Sequence, residues 1–132
     1  MTKYKLTLQL RELKLAVCRL PAKAALPRWV AEDSFVSITR TSDELSIVCS
    51  ERHVPLDVKA ERNWRMIKVK GPIDFSLTGI LASLLSPLAD SGIPIFAIST
   101  YDTDYLLLKE KYFVQAIGIL EQTCIIENKP LI

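Results

Sequence analysis

The sequence predicts an α+β fold: two tandem split-βαβ units of order β-α-β-β-α-β, packed together, the first with shortened helices. Three observations lead there. Residues 71–109 read as loop, helix, strand, turn and strand in unbroken succession. A hairpin of the same pattern, FVSITRTSDELSIVC, lies sixty residues before IFAISTYDTDYLLLK, aligning Ile38 with Ile98 and Thr39 with Ser99. Finally, WRMIKVKG before this stretch and KEKYFVQAIGILEQ and CIIE after it complete the six-element order.

The elements follow from local patterns. KLTLQL alternates apolar and polar residues and LKLAVCRL is more continuously apolar, giving two strand-like pieces, the second ended by Pro21. PAKAALPRWVA, interrupted by Pro27, is a short turn or helical segment whose Trp29 packs on the sheet. FVSIT and LSIVCS are strands about the turn RTSDE. The polar segment ERHVPLDVKAERN, with Pro55 and no sustained period, marks a boundary, so the expected domains are 1–62 and 63–132. In the second, strand 65–70 precedes helix 76–91, whose apolar face is Leu77, Ile80, Leu81, Leu84, Leu85 and Leu88. Asp74 and Ser76 are its N-cap candidates, Gly92 its stop, and Pro87 kinks it or sets its last turn. Strands 94–99 and 104–109 follow, then helix 111–122 with Phe113, Ala116, Ile117 and Leu120 on one face, then strand 124–127. A unit of about 60–70 residues is marginal alone, and packing two together is the remedy.

Composition removes several functions. A net charge of +2 without a Lys/Arg run gives no nucleic-acid footprint. The start MTKYKLTLQLRELK holds no signal-peptide core, and no apolar run approaches the ~18 residues of a membrane span. Cys18, Cys49 and Cys124 are odd in number and lie in apolar strand contexts, as buried free thiols of a cytoplasmic protein do. They show no CxxC spacing, His53 is the single histidine, and the four glycines form neither a P-loop nor a dinucleotide fingerprint. Asp102, Asp104 and Glu110 read as a solvated turn. Catalysis, a metal and a cofactor are therefore not expected.

The residues DFSLTGILASLLSPLADSGIPIFAISTYDTDYLLLKE resemble an ACT domain, the small-molecule-sensing module of amino-acid-metabolism enzymes. With SFVSITRTSDELSIVCSE, the resemblance extends to stand-alone tandem-ACT proteins and CASTOR-type cytosolic arginine sensors, and more distantly to aspartate kinase regulatory domains. It implies two ACT domains and a non-catalytic role in binding an amino acid at a domain interface. Carried over by position, the sensor's ligand motif falls on Asp74, Gly79, Ser83, Thr100, Tyr101 and Asp104, with Ser76, Leu77 and Thr78 in the same early-helix segment. Leu77 stands where an arginine sensor has an acidic residue, which argues against arginine. A homodimer would restore the four ACT domains of such a sensor.

The chemistry of both corners suits an α-amino acid. A helix start offers unpaired N–H groups and a positive dipole end to a carboxylate. Asp104 offers an ammonium partner, Thr100 and Ser99 hydroxyls, and Tyr101 a pocket wall. The same residues also serve plain structure: Asp74, Ser76 and Thr78 as helix caps, Gly79 as a packing contact, TYDTD as turn chemistry. Two alternatives to sensing follow: an ACT dimerisation module without ligand, and a detached regulatory subunit of a biosynthetic enzyme with an unidentified protein partner.

Overall fold

The computed structural model describes residues 5–31, 33–71 and 79–128. KLTLQL and LKLAVCRL, expected as separate pieces, form one strand, β1 (Thr7–Leu20). Arg11 and Glu12 between them are not turn formers, so extended backbone runs through. The chain divides into two units: one takes the N-terminal arm up to Glu12 with everything from Arg65 onward, and the other is Leu13–Trp64.

In the first unit the order is that of the split βαβ: β4 (Ala60–Val69), α1 (Ile80–Asp90), β5 (Phe96–Ser99), β6 (Asp104–Lys109), α2 (Phe113–Leu120) and β7 (Ile125–Glu127). The arm residues of β1 lie between β4 and β7. They pair in parallel with β7, Thr7 opposite Ile125, and the Lys70 amide donates to the Thr7 carbonyl at 2.8 Å. β5 and β6 form an antiparallel hairpin from Phe96↔Leu107 to Ser99↔Asp104.

Strand side chains alternate between faces, so Leu6, Leu8, Leu10, Ile67, Val69, Leu106 and Leu108 supply one apolar face of this sheet. Leu84 and Leu88 of α1 and Phe113, Ala116, Ile117 and Leu120 of α2 join them in one core. Each large aliphatic side chain buried there contributes about 1.5–3 kcal/mol.

α1 starts at Ile80 rather than near 76, with Gly79 as N-cap in the left-handed region, φ 76° and ψ 0°. Pro87 opens the final four residues of α1, so it sets the last turn and the helix continues to Asp90. Past that end, Gly92 (φ 76°) donates to the Ala89 carbonyl at 2.9 Å and Ile93 to the Leu88 carbonyl at 3.0 Å. This pair of bonds is a Schellman motif, and Ile93 and Leu88 share the core as that motif favours. α2 is two residues shorter at each end than the spacing predicts; a 3-10 turn, Glu110–Tyr112, precedes it.

In the second unit, β2 (Val36–Arg40) pairs antiparallel with β3 (Leu45–Ser50), which pairs antiparallel with residues 15–20 of β1. Single 3-10 turns, Arg28–Val30 and Glu51–His53, stand at the helical positions. Ala16, Cys18, Val30, Leu45, Ile47, Cys49 and Val54 form the core, and Trp29 packs against it as expected.

The two hairpins repeat at a spacing of 59, not sixty. The pairs Arg40↔Leu45 and Ser99↔Asp104 both close four-residue loops, Thr41–Glu44 and Thr100–Thr103. Spacing 59 sets Ile47 over Leu106, each in its own unit's core, whereas sixty sets it over Leu107, which points to the opposite face. In a period-two strand a one-residue slip inverts every side chain, so the pairings and the core together select 59.

Candidate ligand-binding site

Antiparallel pairing of β5 with β6 brings Ser99 opposite Asp104, and the Ser99 hydroxyl donates to Asp104 Oδ1 at 2.5 Å. The loop between them closes on itself. The Thr100 amide and hydroxyl both donate to the Thr103 carbonyl, at 2.8 and 3.1 Å, and the Thr103 amide donates to Thr100 Oγ1 at 3.3 Å. Threonine can do this because its hydroxyl both donates and accepts at short range. Tyr101 at the tip is 83% exposed. The turn thus displays a carboxylate, held in orientation by Ser99, beside an aromatic ring.

At the other corner Gly79 is exposed, and a Cβ built there would meet no atom within 4 Å. Glycine is needed at this position for its positive φ, not for want of room. The Gly79 carbonyl accepts the Ser83 amide at 2.9 Å, and the Ser83 hydroxyl turns back to donate to the Ile80 carbonyl at 2.6 Å. Ser83 therefore spends its hydroxyl inside α1. Asp74, Ser76, Leu77 and Thr78 lie outside the described residues. Hydrogen bonds thus gather Thr100 and Asp104 with Ser99 and Thr103 into one cluster, while those of Gly79 and Ser83 run within the helix.

Thr103 was not singled out by sequence, because a threonine in a polar turn has an ordinary explanation. It is 5% exposed, and its hydroxyl donates to the Val69 carbonyl at 2.5 Å. A second polar cluster was also missed. The Asp33 side chain is fully buried and accepts from the Ser50 amide at 2.8 Å, the Ser50 hydroxyl at 2.6 Å, His53 Nδ1 at 2.9 Å and the Phe35 amide at 3.4 Å. Burial pushes the carboxyl up, but the bonds from Ser50, His53 and the two amides prevail and hold it below its ordinary value.

His53, the single histidine of the sequence, therefore shares the Asp33 carboxylate with Ser50. The three do not form a nucleophilic triad. The Ser50 hydroxyl donates to Asp33, while His53 Nε2 accepts from Arg52 Nε at 3.4 Å, so no base faces the hydroxyl. Cys18, Cys49 and Cys124 are buried and free. A hydrogen bond with Cys18, together with burial, pushes the Cys49 thiol above its ordinary range. Among the described residues no group of three or more His, Cys, Asp or Glu side chains is placed to hold a metal, and no helix is long and apolar enough to cross a membrane.

Comparison with known proteins adds to this geometry. A family model described as an ACT domain matches residues 59–122, and a second, described as an N-terminal domain, matches residues 14–57. The human protein named cytosolic arginine sensor for mTORC1 subunit 1 is 35% identical over 60 residues. That match covers 45% of this chain and 18% of the human protein, so the chain spans less than a fifth of that relative. A crystal structure of an Agobacterium tumefaciens protein is 36% identical, with a TM-score of 0.86 and 98% of each chain covered. The ligand-free regulatory subunit of aspartate kinase from Thermus thermophilus is 10% identical with a TM-score of 0.58, covering 88% of this chain and 95% of its own, a likeness of fold.

Proposed function

We propose, since this chain belongs to the ACT-domain family, that it is a non-catalytic regulatory protein that binds a small amino acid at the corners 74–83 and 99–104. The observation that carries this reading is the Ser99–Asp104 pair. A carboxylate oriented by a neighbouring hydroxyl at an exposed turn is a ready partner for an ammonium group. The first turn of α1 supplies backbone N–H groups and a positive dipole end suited to the ligand's carboxylate. The relative named as an arginine sensor, and the neighbour named as a regulatory subunit, support a sensing role over a catalytic one.

In this reading residues 63–132 are the ACT domain that carries the ligand, and the chain acts in the cytosol as a homodimer in which a second copy completes the site. Sensing follows from linkage: a ligand that prefers one arrangement of the domains raises its population, and a partner protein responds to that population. Leu77 in the helix-start segment favours a ligand without a cationic side chain.

Thermal unfolding in the presence of each of the twenty amino acids tests the proposal. A ligand that binds the folded chain raises its unfolding temperature. One amino acid, or a few of related side chain, is expected to do so; no rise with any at millimolar concentration contradicts it.

A further inference from the structure

Thr103 holds a position that its turn does not require. The equivalent residue in the other hairpin is Glu44, and it makes the same local bonds: the Thr41 amide donates to the Glu44 carbonyl at 2.9 Å, and the Glu44 amide to Thr41 Oγ1 at 3.2 Å. A four-residue loop of this kind therefore closes without a hydroxyl at its last position. The Thr103 hydroxyl is free for another task, and it reaches out of the turn to the Val69 carbonyl at 2.5 Å, in a buried setting.

Val69 is the last residue of β4 and is fully buried. The next amide, Lys70, is held by the Thr7 carbonyl. One hydroxyl thus joins the turn bearing Thr100, Tyr101 and Asp104 to the end of β4. Buried, away from competing water, such a bond is costly to leave unmade.

We propose that Thr103 is the positioning residue of the turn that carries Asp104: its bond to Val69 holds that turn to the end of β4. This rests on the ligand-binding reading above, and its test separates the two. Thr103→Val keeps the shape and removes the hydroxyl; Thr103→Ser keeps the hydroxyl; Thr103→Ala replaces the valine variant should that not fold. Two measurements are made on the full chain. Amide hydrogen exchange without ligand is followed at Lys70 and Thr100, and calorimetric affinity is measured for whichever of the twenty amino acids the unmutated chain binds.

The valine variant is expected to speed exchange at Lys70 and Thr100 together and to weaken binding about tenfold, the scale of one lost hydrogen bond. The serine variant should match the unmutated chain in both, whereas a threonine serving the turn alone would leave affinity unchanged in all variants. Unchanged exchange at Lys70, or equal losses of affinity in the valine and serine variants, overturns the proposal. If the unmutated chain binds none of the twenty, the ligand reading fails by itself. Exchange then decides the coupling: joint acceleration supports it and no change at Lys70 rejects it.

Discussion

His53 Nδ1 donates a hydrogen bond of 2.9 Å to the buried carboxylate of Asp33, twenty residues earlier in the chain. Since an ionised carboxylate only accepts, the imidazole must carry its hydrogen on Nδ1. With the two bonds from Ser50, this fixes the Glu51–His53 turn and the end of β3 to the segment leading into β2.

Replacing Asp33 by Ala should therefore destabilise the chain by about 3 kcal/mol, because it leaves the Ser50 amide and hydroxyl buried without their acceptor. Urea unfolding of the variant against the unmutated chain measures this. A loss within experimental error of zero would show that water replaces the carboxylate.

The same carboxyl makes stability depend on pH. Its folded-state pKa lies below the ordinary 3.8, so the unfolded chain binds a proton first as pH falls. The stabilisation is complete above that ordinary value and is lost progressively as pH drops through the lower folded value. Denaturant midpoints measured from neutral pH down to this acid range should fall less steeply for Asp33→Ala than for the unmutated chain.

The core of the first unit makes a sharper demand. Leu84 and Leu88 are buried at 1% and 0% exposure between α1 and the sheet. Leu84→Ala or Leu88→Ala is expected to cost about 2–5 kcal/mol, the sum of lost transfer energy and a residual cavity. Substituting Ser83 or Leu81 on the more open faces of α1 should cost far less.

Gly92 tests the helix stop. A Cβ there would meet no atom within 4 Å, so the penalty of Gly92→Ala comes from its φ of 76° alone. That penalty is about 1–2 kcal/mol for an L residue in the left-handed region. Thermal unfolding should show the loss, and a d-alanine placed at the same position by chemical synthesis should recover it.

Much of this was legible from residue patterns. The apolar spacing of Leu84 and Leu88, the stop at Gly92, both hairpins and the terminal CIIE strand are local signals, and each marks an element of the structure. What escaped was non-local or finer than one residue. Alternation in KLTLQL announces a strand but not that its leucines share a core with Ile67 and Leu108. Spacings of 59 and sixty both align apolar strands, and only the hairpin register and the core tell Leu106 from Leu107 as the counterpart of Ile47. The Asp33–His53 and Thr103–Val69 bonds join residues 20 and 34 positions apart, separations at which no sequence period speaks. The Ser99–Asp104 pair lay within reach, since both flank one short turn; its hydrogen bond follows from a register that the turn length sets.

The measurement closest to the central claim is a calorimetric comparison of the unmutated chain with Asp104→Ala, using the amino acid that most raises the unfolding temperature. Asp104 is half-exposed and lies at the end of a strand, so its removal should leave the ligand-free unfolding temperature nearly unchanged. The account predicts an affinity at least about tenfold weaker in the variant, as loss of a charge-assisted bond to an ammonium group requires. Equal affinity in the two proteins, or no heat with any amino acid in the unmutated chain, would contradict it.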